Sequence, residues 1–127
     1  MKKSIVQEKS RCFASRIIKL HHYLQQQKRE FVISKQLIRS GTSIGANISE
    51  ALCGQSKKDF YAKMYIAYKE SSETAYWIDM LYENGFIKKR EYDSIKQDNI
   101  ELIKMLAAIT KTQKYPYVTP KNVTANC

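Results

Sequence analysis

The chain has 127 residues, 43% of them hydrophobic, with 22 basic against 12 acidic side chains and a formal net charge of +10. This length fits one domain with a core of its own. Only four Gly and two Pro occur, which argues against a many-turned β fold and favours long helices. No stretch approaches the about 20 apolar residues of a membrane span, so we expect a cytoplasmic protein with no membrane partner.

Apolar residues recur at helical intervals in four segments, which predicts an all-α fold. Ser34 and Ser56 are suitable N-caps, and Gly54 is a suitable residue to end a helix. The predicted helices cover residues 5–27, 34–53, 56–84 and 88–114. The core positions are expected to be Phe13, Ile17, Leu20, Leu24, Leu37, Ile44, Ile48, Leu52, Phe60, Met64, Ala67, Ser71, Ile78, Leu81, Tyr92, Ile95, Leu102, Leu106 and Ile109.

The short connections between these segments predict how the helices are arranged. A few residues can join two helices only if they run in opposite directions, so we expect an antiparallel up-down four-helix bundle. Pro116 and Pro120 end the helical pattern. Residues 1–115 are therefore expected to form a single domain, and residues 116–127 a flexible C-terminal tail.

The sequence gives no signature of a catalytic or metal site. The three cysteines, Cys12, Cys53 and Cys127, have no metal-binding spacing, and we expect reduced thiols, two of them packed on helix faces. The adjacent histidines His21 and His22 point about 100° apart on a helix and cannot both face one metal ion. Glycines within residues 41–45 lack the phosphate-binding pattern and, with Ala46, are better explained by close helix contact. We therefore expect no enzyme activity, no cofactor and no metal.

Polar residues recur on one face of the second predicted helix and within two turns of the third. The residues are Arg39, Ser43, Asn47 and Glu50 in the second helix, and Glu70, Glu73, Thr74 and Trp77 in the third. Charges of both signs on facing helices predict a partly buried network in which Arg39 pairs with a glutamate. Such a network either fixes the register of helices and subunits, which we favour, or binds a ligand or RNA.

A second aromatic stripe lies on the third predicted helix, beside its core stripe. Its members are Tyr61, Tyr65, Tyr68 and Tyr76. One bundle core needs only one apolar stripe per helix. The second stripe is therefore covered either by a neighbouring helix or by another subunit. We favour another subunit, which makes the protein a homo-oligomer.

The positive charge is concentrated in the two outer parts of the sequence. Residues 1–33 carry eight basic and two acidic side chains. Residues 86–127 carry eight basic and four acidic side chains. Residues 34–85, in contrast, carry six basic and six acidic side chains, which cancel. Basic surfaces bind phosphates because binding releases counterions, although a basic surface can also serve solubility alone. The residues predicted to contact nucleic acid, with little sequence preference, are Lys9, Arg16, Lys19, Lys88, Lys89 and Arg90.

The segment Gln-Leu-Ile-Arg-Ser-Gly-Thr-Ser-Ile-Gly-Ala-Asn-Ile-Ser-Glu-Ala at residues 36–51 resembles a known signature. It is similar to the four-helix bundle proteins encoded by intervening sequences of bacterial 23S ribosomal RNA genes. The likeness extends over about residues 9–114. It includes Ser56, Asp59, Phe60, Ala67, Lys69, Glu70, Glu73, Thr74, Tyr76 and Trp77.

The resemblance implies a ring-like homopentamer without enzyme activity. The related accessory proteins of diversity-generating retroelements share the bundle and the pentamer, and they bind nucleic acid and a reverse transcriptase. By analogy alone, the resemblance implies an RNA-handling protein as a partner. The leading hypothesis is an oligomeric, basic, nucleic-acid-associated binding protein. The alternative is a protein-interaction scaffold whose charge serves only solubility.

Overall fold

The computed structural model describes residues 4–111, which form four α-helices and no β-strand. The helices are α1 (Ile5–Gln26), α2 (Ile33–Leu52), α3 (Lys57–Glu83) and α4 (Lys89–Lys111). The prediction of an all-α, four-helix chain is confirmed, and the helix bounds agree closely with those predicted. The predicted tail, residues 116–127, lies outside the described residues.

Each helix packs against two others, so that α1 and α3 both lie between α2 and α4. The low-numbered part of one helix meets the high-numbered part of the next. Ser10 of α1 lies beside Gly45 of α2, whereas Ile17 lies beside Gly41. The loops 27–32 and 84–88 consequently lie at one end of the molecule, which we call the two-loop end. The loop 53–56 lies at the other end.

One apolar core runs between the helices and contains most of the predicted positions. Phe13, Ile17, Leu24, Leu37 and Ile44 are almost completely buried, as are their counterparts in α3 and α4. The prediction is wrong for Leu52, the last residue of α2, which is 42% exposed. Ala51 takes the inward position instead, one residue earlier, because a 100° step at the helix end turns Leu52 away from the core.

The N-termini of α2 and α3 are capped in two different ways, and the cap of α2 differs from the prediction. Ser56 accepts a hydrogen bond from the backbone N–H of Asp59 (3.1 Å), as predicted for an N-cap. Ser34 does not cap α2 but lies inside it. The buried carboxylate of Glu30 accepts from the backbone N–H groups of Val32 (3.0 Å), Ile33 (2.8 Å) and Ser34 (2.7 Å).

Small residues let α1 and α2 approach closely. A Cβ added at Gly41 would lie 2.9 Å from two carbons of Ile17, and one at Gly45 would lie 3.2 Å from Ser10 Oγ. The predicted role of these two glycines in close helix contact is confirmed. The prediction is wrong for Ala46, which is exposed.

The thiols of Cys12 and Cys53 are not packed on helix faces. Both Cys12 and Cys53 are exposed, which contradicts the prediction for the cysteines the structure describes. Cys12 precedes the core residue Phe13 and borders a groove between α1 and α4. Cys53 follows the last residue of α2.

Within residues 4–111, no helix has the length and apolar character needed to cross a membrane.

Candidate functional site: the α2–α3 face and the basic surfaces

Arg39 of α2 joins a polar cluster with α3, as the spacing predicts. Its guanidinium donates to Glu70 Oε1 (3.3 Å) and to Glu73. The indole N–H of Trp77 donates to the same Glu73 carboxylate (2.9 Å). Sequence spacing predicted this association because α2 and α3 are neighbours and Glu70, Glu73 and Trp77 lie within two turns of α3.

The cluster is more exposed than predicted. The side chains of Arg39, Glu70 and Glu73 are 47%, 20% and 38% exposed. The hydrogen bond from Trp77, together with the guanidinium of Arg39, lowers the pKa of Glu73 below its ordinary value. Because water reaches these groups, truncating Arg39 leaves a hydrated carboxylate rather than a buried unpaired charge. We therefore expect truncation of Arg39 to lower the free energy of unfolding by much less than the loss of one partner of a buried ion pair would.

The remaining members of the predicted network belong to separate contacts. Asn47 donates to the backbone oxygen (2.9 Å) and hydroxyl (3.0 Å) of Ser43, one turn earlier on α2. Glu50 forms an ion pair with Lys63 of α3 (2.9 Å). The contacts of Arg39 and Glu50 therefore join α2 to α3, which suits the predicted role of fixing helix register, whereas the contact between Asn47 and Ser43 lies within α2.

The second aromatic stripe of α3 divides between the interior and the surface. Tyr68 packs against the core, and Tyr61 and Tyr65 are half-buried. Tyr76 is 53% exposed, with its ring 4.9 Å from that of Trp77. Ile66 on the same helix is 40% exposed. Two large apolar side chains of α3 are thus exposed near the Arg39 cluster.

The basic residues of α1 lie along α4, where carboxylates face two of them. Lys9 pairs with Glu101 (2.9 Å) and Arg16 pairs with Asp98 (2.6 Å). The contact between Lys9 and Glu101 raises the pKa of Lys9 and lowers that of Glu101. Lys19, in the groove near Ile87, forms no ion pair with another residue of 4–111. The predicted α1 strip is therefore largely neutralised by α4.

The second predicted basic group lies where α4 begins, at the two-loop end. Lys89 pairs with Asp93 one turn later (3.0 Å). Lys88 and Arg90 are exposed and make no ion pair within the described part of the chain. Of the six residues predicted to contact nucleic acid, Lys19, Lys88 and Arg90 thus keep an uncompensated charge.

Two features of the described residues were missed by sequence reasoning. One is the α1–α4 ion pairing, which depends on the relative register of helices far apart in the chain. The other is the exposed pair Phe31 and Val32, 50% and 76% accessible, between the cap residue Glu30 and the start of α2. In the sequence, the only indication of this exposed pair was the presence of two apolar residues in a predicted loop.

Among residues 4–111, no group of three or more His, Cys, Asp or Glu could hold a metal ion.

Comparison with known proteins identifies relatives by sequence and by structure. The family model for 23S rRNA-intervening sequence proteins matches residues 2–108. A crystal structure of a protein of unknown function from the S23 ribosomal protein family of Bacteroides thetaiotaomicron is 48% identical, with a TM-score of 0.83. The similarity covers 84% of this chain and 99% of that one. No curated protein matches the chain. The chain therefore belongs to the family of 23S rRNA-intervening sequence proteins.

Proposed function

We propose that this chain is a non-enzymatic, basic protein that assembles as a homo-oligomer and binds nucleic acid electrostatically. The observation that carries the proposal is the net charge of +10, with its excess in the segments that contain α1 and α4. RNA is the nucleic acid we favour, ribosomal RNA included, because the family is described by its 23S rRNA context. The alternative is a protein-interaction scaffold, which the pairing of Lys9 and Arg16 with acidic residues of α4 would suit.

Binding to RNA should depend steeply on salt. With phosphate contacts as the driving force, the log–log slope against salt should be about −0.7 per contacted phosphate for a single strand. Fluorescence anisotropy of the full chain with labelled single-stranded RNA across a salt series measures that slope. An uncharged-backbone analogue with the same bases is the matched control and should not bind. If the parent fails to bind RNA at low salt, the scaffold hypothesis replaces this one.

We further propose that the protomer is an antiparallel up-down bundle and that five copies form a ring. The reversed numbering of contacts along each helix pair supports the bundle. The exposed Tyr76 and Ile66 beside the Arg39 cluster support an interface on the α2–α3 face. A surface of this kind, with aromatic and arginine side chains, is typical of protein–protein contacts.

The oligomeric state can be measured directly. Light scattering coupled to size exclusion should give about five times the 14.8 kDa of one chain. Replacing Tyr76 with Glu should shift the mass toward the monomer, because it places a charge within an apolar contact. Replacing Lys104, an exposed residue of α4, with Glu is the control and should leave the mass unchanged. A parent chain that remains monomeric at micromolar concentration would exclude the ring.

A further inference from the structure

We propose that single-stranded nucleic acid binds at the two-loop end, with one base stacked on Phe31. The surface consists of Lys28, Arg29, Phe31 and Val32, and we call it the tip. This inference rests on the proposed function and assigns it a place and a binding mode. It differs from the sequence-based prediction, which put the contacts on α1 and at the start of α4 and foresaw no stacking residue.

The charge at the tip is available for phosphates. Lys28 and Arg29 are exposed and form no ion pair within residues 4–111, in contrast to Lys9, Arg16 and Lys89. The carboxylate of Glu30, the next residue along the chain, is buried and accepts hydrogen bonds from three backbone N–H groups at the start of α2. This carboxylate therefore binds the amides at the start of α2, and it does not neutralise Lys28 or Arg29.

Phe31 supplies the apolar part of the site. Its side chain is 50% exposed, and the guanidinium of Arg29 lies over its ring at 5.6 Å from the centroid. An exposed aromatic ring beside a guanidinium and a lysine is the combination that binds single strands, because every base has a face that can stack and every nucleotide has a phosphate.

The backbone around Phe31 is held in place before any ligand arrives. Glu30 binds the amides on its C-terminal side, and Ser34 Oγ donates to the Glu30 backbone oxygen (2.8 Å). Arg29 on the N-terminal side has a positive φ of 55°, a conformation that L residues adopt rarely and that fixes the turn. A rigid aromatic residue loses little entropy when a base stacks on it.

Two further exposed basic residues lie at the same two-loop end of the bundle. Lys88 and Arg90 are exposed there without ion pairs inside the described range. A strand whose base stacks on Phe31 has further cations available for the phosphates that follow. A membrane surface fits less well, since peripheral helices insert a whole apolar face, whereas the tip exposes only Phe31 and Val32.

The test compares the full-length parent with substitutions of Phe31 that separate stacking from apolar contact. Phe31→Leu keeps an apolar side chain but removes the ring, so affinity for single-stranded RNA should fall roughly 5- to 100-fold. Phe31→Trp should retain or increase affinity. Both residues are tolerated at an exposed loop position, and circular dichroism would confirm that both variants are folded.

Charge substitutions locate the phosphate contacts. Lys28→Glu should weaken binding and flatten the salt slope, whereas Lys58→Glu, the same change at the opposite end, should have a much smaller effect. Arg29→Gly removes the guanidinium and suits the positive φ, so it should weaken binding without unfolding the loop.

Each outcome has a distinct meaning. If the parent binds RNA and Phe31→Leu binds equally well, the tip is excluded while the proposed function stands. If the parent binds no RNA, both fail. If Phe31→Leu and Phe31→Trp both retain RNA binding, and Phe31→Ala alone loses binding to acidic phospholipid vesicles, the tip contacts lipid and the stacking proposal is wrong.

Discussion

Replacing Glu30 with Ala should lower the free energy of unfolding by roughly 2–4 kcal/mol, more than an ordinary N-cap substitution. The carboxylate satisfies three backbone N–H groups at once, and the N–H of Ser34 belongs to a fully buried residue. Water can reach the amide of the exposed Val32, but it cannot reach that of Ser34 without opening the start of α2. An unsatisfied buried donor carries most of the expected cost.

Urea denaturation followed by circular dichroism measures this change, with all variants at one protein concentration because oligomer stability depends on concentration. Glu50→Ala is the matched control. It removes a glutamate that is 59% exposed and, among residues 4–111, forms an ion pair with Lys63 alone, so its effect should stay within about 1 kcal/mol. Equal losses for the two variants would mean that Glu30 contributes no more than a surface ion pair.

Replacing Gly41 with Ala should destabilise the chain by about 1–3 kcal/mol, although alanine is the better helix former. The new Cβ would lie 2.9 Å from both Cγ1 and Cγ2 of Ile17. Ile17 is fully buried, and a β-branched side chain has little freedom to turn aside. Either α1 and α2 move apart or Ile17 adopts a strained rotamer.

Gly45→Ala, one turn further along the same helix, is the control for this experiment. Its Cβ would meet Ser10 Oγ at 3.2 Å and nothing else within 3.5 Å. A small shift of that hydroxyl relieves the contact, and the gain in helix propensity offsets the cost to within about 1 kcal/mol.

A double-mutant cycle makes the assignment to Ile17 specific. In an Ile17→Ala background the clashing carbons are absent, so adding Gly41→Ala should be neutral or stabilising. If Gly41→Ala costs the same in both backgrounds, contact with Ile17 is not the cause. Thermal or urea melts of the four proteins provide the comparison.

The helices and most of the core could be predicted from the sequence because both follow from a local period. Two of the errors occur where the period ends. At Leu52 the apolar pattern continues for one residue more than the core does. At the start of α2, serine is a common N-cap, yet the folded chain uses Glu30, whose longer side chain reaches back over the first turn. Residue preferences at helix N-termini describe the most frequent caps. They do not cover every side-chain geometry that can accept hydrogen bonds from the backbone N–H groups of the first turn.

The candidate site could be predicted only in part. The Arg39 cluster followed from spacing on adjacent helices, but its exposure did not, since spacing does not show how deeply an edge between helices is buried. The neutralisation of Lys9 and Arg16 depends on α4 residues more than 80 positions away in the chain for both contacts. The tip was missed because stacking requires a turn that holds an aromatic ring in solvent, and no sequence period indicates such a turn.

Trp77 also determines how the protein can be observed in solution. It is the single tryptophan among nine tyrosines, and it lies on the α2–α3 face between the Glu73 carboxylate and the ring of Tyr76. Fluorescence excited selectively in the indole therefore originates from one known place. Its emission wavelength and quenching report on the polarity and accessibility of that face, without any label attached to the chain.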